Sequence, residues 1–158
     1  MSRIIYVKGR YLQHKEALVP VEDRGYMFAD GVYEGFELRM GQIIDMDRHL
    51  DRLWRSMSEI AISQPPERAV LKHILREIVR RNRYLNGFVY LQVTRGVAPR
   101  DYRFPSLDTP VSIMCMVYNI RPSKANKMAE QGIGVITTPD IRWKRPDIKS
   151  LQLLPGVL

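Results

Sequence analysis

Cysteine is almost missing from this sequence: Cys115 is the single one in 158 residues. That excludes an intrachain disulfide framework and a multi-cysteine zinc centre. Its surroundings, VSIMCMVY, are apolar, so the thiol reads as buried and inert. Histidine is nearly as scarce. His14, His49 and His73 lie far apart, so no metal cluster is expected. His49 and His73 fall off the apolar faces of their helices and read as solvated surface groups. No run approaches the ~18–20 apolar residues of a membrane span, and the start MSRIIYVKGR lacks the apolar core of a signal peptide. The expectation is a reduced, cytoplasmic setting with no membrane partner. GxGxxG, GxxxxGK followed by Ser or Thr, GxSxG and HExxH are absent, so none of those phosphate, nucleophile or zinc signatures applies. There is no internal repeat and no low-complexity segment.

What is present is an ordinary globular balance, 45% hydrophobic and 27% charged, which argues against disorder, collagen and coiled coil. The formal charge of +8 is spread along the chain, with arginines beside acids in VEDRGY, DMDRHLDRLW and ILREIVRR. The dense run Arg80, Arg81 and Arg83 falls at an expected helix end, where cations suit the helix dipole. No basic-aromatic stripe appears, so nucleic acid is not an expected partner.

Hydrophobic spacing predicts two helices. One spans residues 47–62, with an apolar face of Leu50, Leu53, Trp54, Met57, Ile60 and Ala61, and Asp47 as N-cap. The other spans 66–84, with Val70, Leu71, Ile74, Leu75, Ile78 and Val79, entered at Pro65-Pro66 and left at Asn86-Gly87. Strands are expected at 3–7, just after Arg10, at 31–38, from Ile43, at 88–94 and at 111–118, with 20–30 as an ordered loop. The order β-β-loop-β-β-α-α-β-β predicts an α+β fold, an antiparallel sheet with two helices packed on one side. This domain is placed at residues 1–120. Residues 121–158 read as a connector (121–124), a short helix end (127–131) and a strand (132–138). So short a stretch is too small for its own core, so it either packs back on the first domain or, the favoured expectation, is the incomplete start of a second.

Three segments carry the chemistry. Glu22 to Glu34, EDRGYMFADGVYE, packs glycines, acids and aromatics into a loop that runs into a strand. It reads as a glycine-shaped turn with salt-bridged edges, or as a functional loop on a rigid scaffold. Thr94 to Pro105, TRGVAPRDYRFP, sets three arginines and a tyrosine in a Gly/Pro loop. That is a solvated loop, or a fork for carboxylate or phosphate. Ile141 to Ser150, IRWKRPDIKS, puts Lys149 between a proline bend and an apolar run. It is a surface lysine, or an amine able to form a Schiff base.

Taken together and in this order, EDRGYMFADGVYEGF, HLDRLWRSM, YLQVTRGVAPR and DIRWKRPDIKSLQLL resemble the fold-type IV pyridoxal-phosphate (PLP) aminotransferases over essentially the whole chain. The TRGVAPR loop is most similar to the D-amino acid branch. Branched-chain aminotransferases share the DGVYEG and HxxRL elements, and aminodeoxychorismate lyase is more distant. A non-catalytic α+β fragment that dimerises is the alternative to an enzyme.

The resemblance implies PLP as cofactor, amino acid and 2-oxo acid substrates, and a homodimer. It implies that Lys149 holds PLP as an internal aldimine and shuttles the substrate proton. It further implies that Arg52 binds the PLP phosphate, that Tyr33 lines the substrate side, and that Arg100 binds the substrate carboxylate across a dimer interface. Tyr102 stands where the family has histidine, and can donate a hydrogen bond but brings no charge that switches near neutral pH. The resemblance also implies further cofactor-binding groups C-terminal to Lys149.

Overall fold

The computed structural model describes residues 3–120 and 122–158. Six strands form one antiparallel sheet in the order β2-β1-β6-β5-β3-β4. They are β1 (Ile4–Val7), β2 (Arg10–Gln13), β3 (Gly31–Arg39), β4 (Gln42–Ile43), β5 (Gly87–Thr94) and β6 (Ser112–Asn119). Among them lie α1 (Arg24–Phe28), α2 (Met46–Glu59) and α3 (Arg68–Asn82), followed by α4 (Pro122–Gln131) and α5 (Leu154–Val157). The expected α+β layering is present.

The core forms because period-2 strands meet period-3.6 helices. Val32, Phe36 and Leu38 of β3, Val89, Leu91 and Val93 of β5, and Cys115 and Val117 of β6 are buried together with Leu50, Leu53 and Met57 of α2 and Leu71, Ile74, Leu75 and Ile78 of α3. Each such side chain contributes roughly 1.5–3 kcal/mol on leaving water. The Cys115 thiol is fully buried, and burial pushes its pKa up. The neighbouring β3 and β5 residues point to the other face, where the rings of Tyr33 and Tyr90 stack with centroids 5.5 Å apart.

Several expected boundaries move. The 20–30 loop contains α1, because Asp23 Oδ1 accepts from the Gly25 N–H and caps a first turn. Asp47 is not the N-cap of α2. Asp45, at φ 50°, occupies that position, and Asp47 instead pairs with Arg68 and Lys72 of α3. α3 ends at Arg83 in the left-handed region, so Gly87 is free to begin β5. Residues 122–124, expected as connector, lie in α4, while Arg121 lies outside the described residues. The apolar run 132–138, expected as a strand, has no ladder partner among the described residues, and Ile133, Val135 and Ile136 are exposed.

The C-terminal segment returns to the sheet. Ile148 enters the core, and Ser150 pairs antiparallel with Val32. The Tyr33 N–H donates to the Lys149 carbonyl at 3.0 Å and the Leu151 N–H to the Gly31 carbonyl at 3.1 Å. β5 covers one edge of β3 and β4 only its far end, so residues 149–151 occupy the remaining free edge. Glycine is required at 31: a Cβ there would stand 2.6 Å from the Val93 carbonyl oxygen and 2.9 Å from Leu151 Cδ1.

Candidate functional site

β3 places one group of the site on each face. Glu34 has the parity of the core residues, so its carboxylate points toward α2 with no solvent exposure. A buried carboxylate requires compensation, and α2 supplies it from two positions one helical turn apart. Arg52 donates from Nε to Oε1 at 2.6 Å and from Nη2 to Oε2 at 2.7 Å. His49 Nδ1 lies 2.8 Å from Oε2; since a carboxylate only accepts, that nitrogen carries the proton. The Glu34 hydrogen bonds hold the Arg52 guanidinium above its usual pKa, against the opposing effect of burial. His49 is therefore not a solvated surface group: it bonds Glu34 and rests its ring 5.0 Å from that of Phe36.

Tyr33 has the opposite parity. Its ring lies under the Lys149 ammonium, with Nζ 4.2 Å from the centroid. Lys149 is half-buried between buried Ile148 and Ser150. Its backbone is held on two sides, by the Tyr33 N–H at its carbonyl and by Ser56 Oγ, which accepts from its own N–H at 3.3 Å. Ser56 is one turn beyond Arg52 on α2, so β3 and α2 hold Tyr33, Arg52 and Lys149 together. Beyond Tyr33, burial and the neighbouring Tyr33 and Tyr118 push the Tyr90 phenol up to about 12, and its hydroxyl donates to Gln92 Oε1 at 3.0 Å.

Arg100 and Tyr102 stand apart from that trio. Both are exposed on the loop after β5, and Arg100 Nη2 lies 3.5 Å from the Tyr102 hydroxyl. Both side chains also approach Phe28 of α1, the Arg100 guanidinium 5.4 Å from its ring and the Tyr102 ring 5.8 Å away. A cleft of about 390 Å³ runs beside this loop, lined by Arg24, Asp30, Gly31, Arg95, Trp143 and Ser150 among others.

Chemically, the trio combines an amine free of carboxylate partners among the described residues, an aromatic face beneath it, and an arginine fixed by a buried acid. Arg52 Nη1 has no hydrogen bond among the described residues, so the guanidinium keeps donor capacity for an anion. These groups fit a phosphorylated aldehyde cofactor: the amine suits its carbonyl carbon and the arginine its phosphate. Sequence reasoning passed over Glu34 and His49. The available signal was an acid at a core-facing strand position, with His and Arg three apart on the facing helix.

A family model described as amino-transferase class IV matches residues 31–158. The D-alanine aminotransferases of Bacillus licheniformis and Staphylococcus epidermidis are 40% and 38% identical over 154 residues, which is 98% of this chain. The chain spans about half the length of these relatives, 53% and 54% respectively. The crystal structure of 4-amino-4-deoxychorismate lyase from Pseudomonas aeruginosa superposes with a TM-score of 0.78 at 27% identity, covering 97% of this chain and 54% of that one.

Proposed function

The chain belongs to the class IV aminotransferases, and from that premise we propose that it carries the lysine-bearing half of a PLP-dependent enzyme that moves amino groups between D-amino acids and 2-oxo acids. The observation that supports this most is the setting of Lys149: a half-buried amine 4.2 Å above the Tyr33 ring, beside an arginine anchored on a buried carboxylate. PLP bound there supplies an electrophilic carbon and an electron sink. Lys149 holds the cofactor through Nζ and moves the proton at the substrate Cα. Arg52 faces the phosphate with its remaining donor, and Glu34 keeps the guanidinium oriented while it does so. The Tyr33 ring lines the substrate side and excludes water from the amine.

Arg100 and Tyr102 bind the substrate α-carboxylate, the arginine by charge and the phenol by a hydrogen bond. They make their own contacts away from Lys149, which suits a homodimer in which each copy lends this pair to the other. The D-amino acid preference is supported by the TRGVAPR loop and by the D-alanine aminotransferase relatives.

The test is borohydride reduction of the chain after incubation with PLP, followed by peptide mass mapping. A pyridoxyl group confined to Lys149 is the expected result. No incorporation, or incorporation scattered over the other lysines, would overturn the reading. A separate, unreduced PLP-loaded sample that transfers amino groups from L-leucine but not D-alanine to 2-oxoglutarate would overturn the substrate assignment alone.

A further inference from the structure

The loop that carries Arg100 and Tyr102 is tied at its root to a buried ion cluster. Arg95, the first residue after β5, donates to Asp30 from Nε at 2.8 Å and Nη2 at 3.0 Å. It also donates to the carbonyls of Ala61 and Ile60, just beyond α2, at 2.7 and 2.6 Å. Arg24 of α1 donates to the same Asp30 carboxylate at 2.7 Å and to the Asp101 carbonyl, inside the loop, at 2.8 Å. The three side chains are only 9%, 4% and 11% exposed for Arg95, Arg24 and Asp30.

Aromatic rings extend the cluster into the loop. The Arg95 guanidinium lies 3.9 Å from the Phe104 ring centre and the Arg24 guanidinium 4.7 Å from that of Phe28, the ring that Arg100 and Tyr102 also approach. Backbone bonds close the frame: Arg95 N–H to the Asp30 carbonyl at 3.1 Å and Arg24 N–H to the Gly96 carbonyl at 2.9 Å. Asp30 immediately precedes Gly31, whose carbonyl holds the Leu151 N–H.

We propose that Asp30, with Arg24 and Arg95, is a positioning cluster that sets the loop bearing Arg100 and Tyr102 against the start of β3. The role in carboxylate binding rests on the function proposed above; the role in loop order does not. Two guanidinium groups share one carboxylate, so removing that charge leaves both cations buried and facing each other. Each arginine also spans from Asp30 to a backbone carbonyl elsewhere, which a shorter or non-forked cation cannot do. The cluster thus couples the loop to β3 and to the end of α2 through one carboxylate.

The first readout is the rate of tryptic cleavage at Arg103-Phe104, with Lys8-Gly9 in the distant β1–β2 turn as internal reference. Asp30→Asn is expected to speed cleavage at Arg103 about tenfold while the reference site is unchanged. Arg24→Lys, which keeps the charge and loses the fork, is expected to act in the same direction and serves if Asp30→Asn does not fold. Equal rates at Arg103 in a folded variant, or equal acceleration at Lys8, would overturn the proposal. The second readout is D-alanine titration of the PLP-loaded chain by its absorption spectrum. Asp30→Asn is expected to raise the apparent Kd for D-alanine about tenfold with PLP affinity unchanged, and to add nothing to Arg100→Ala in the double variant. An additive double variant would overturn the positioning role. If the unmodified chain shows no Lys149-dependent spectrum, the proposed function fails and the cleavage assay alone decides the cluster.

Discussion

Lys149 and Tyr33 hold one another twice: the tyrosine N–H binds the lysine carbonyl at 3.0 Å, and the tyrosine ring lies 4.2 Å from the lysine Nζ. The first contact fixes the strand position of the lysine and the second the direction of its amine. They separate by mutation, because only the second needs the ring. Tyr33→Phe keeps an aromatic face and is expected to leave pyridoxyl incorporation at Lys149 unchanged. Tyr33→Ala is expected to lower it several-fold, in line with ~0.5–2 kcal/mol for a cation over a ring. Quantified borohydride labelling distinguishes the two.

Glu34 accepts from Arg52 and His49 with no exposure to solvent. Glu34→Ala removes the acceptor of both α2 side chains, but Arg52 is 44% exposed and can turn to water, so a loss of about 1–3 kcal/mol is expected. Urea unfolding followed by tryptophan fluorescence checks it through a lowered midpoint at unchanged slope.

Gly31→Ala places a methyl between the Val93 carbonyl and Leu151. Two of the three closest atoms, the Val93 carbonyl oxygen at 2.6 Å and Thr94 Cα at 2.9 Å, are backbone of β5, so the Gly31 end of the β3–β5 pairing must shift along with the Leu151 side chain. Faster hydrogen exchange at the Leu151 amide and at the Thr94 end of β5 is expected, together with weaker labelling of Lys149. Unchanged protection at both places would contradict this.

The Tyr90 phenol, held up to about 12, makes stability depend on alkaline pH. An unfolded chain ionises this group near its ordinary value of 10.0, while the folded chain keeps the proton. Its contribution is fully present below pH 10 and is lost as pH rises from 10 toward 12. Melting temperatures over that interval should fall more steeply for the native sequence than for Tyr90→Phe.

How much of this was legible depends on the distance over which the determining interaction acts. The apolar spacing in α2 and α3 and the β-branched and aromatic composition of β3 are local, and those elements appear close to where the sequence puts them, although α2 ends at Glu59, so that Ile60 and Ala61 of its expected apolar face lie beyond the helix. The start of α2 is misplaced because a left-handed turn at Asp45, not a side-chain cap, opens the helix. The apolar composition of 132–138 suggests a strand, but a strand also needs a neighbour. Tyr33, Arg52 and Lys149 come together because residues far apart in sequence meet on β3. The pairing of Asp30 with Arg95 spans 65 positions, and no pattern in either segment announces it. Glu34 lay inside a motif already singled out, yet its role emerges only when the facing helix shows what it binds.

Reading along β3, successive residues serve different neighbours: Val32, Glu34 and Phe36 face the helices, while Gly31, Tyr33 and Gly35 face away. The strand therefore keeps two independent accounts in one frame. A single residue inserted or deleted near Val32 would exchange them, turning the tyrosine into the core and the acid away from its arginine. Substitutions test the members one at a time, but such a frame change removes the arginine anchor and the aromatic bed together. A change of length in the first third of this strand should therefore cost more than any single substitution there.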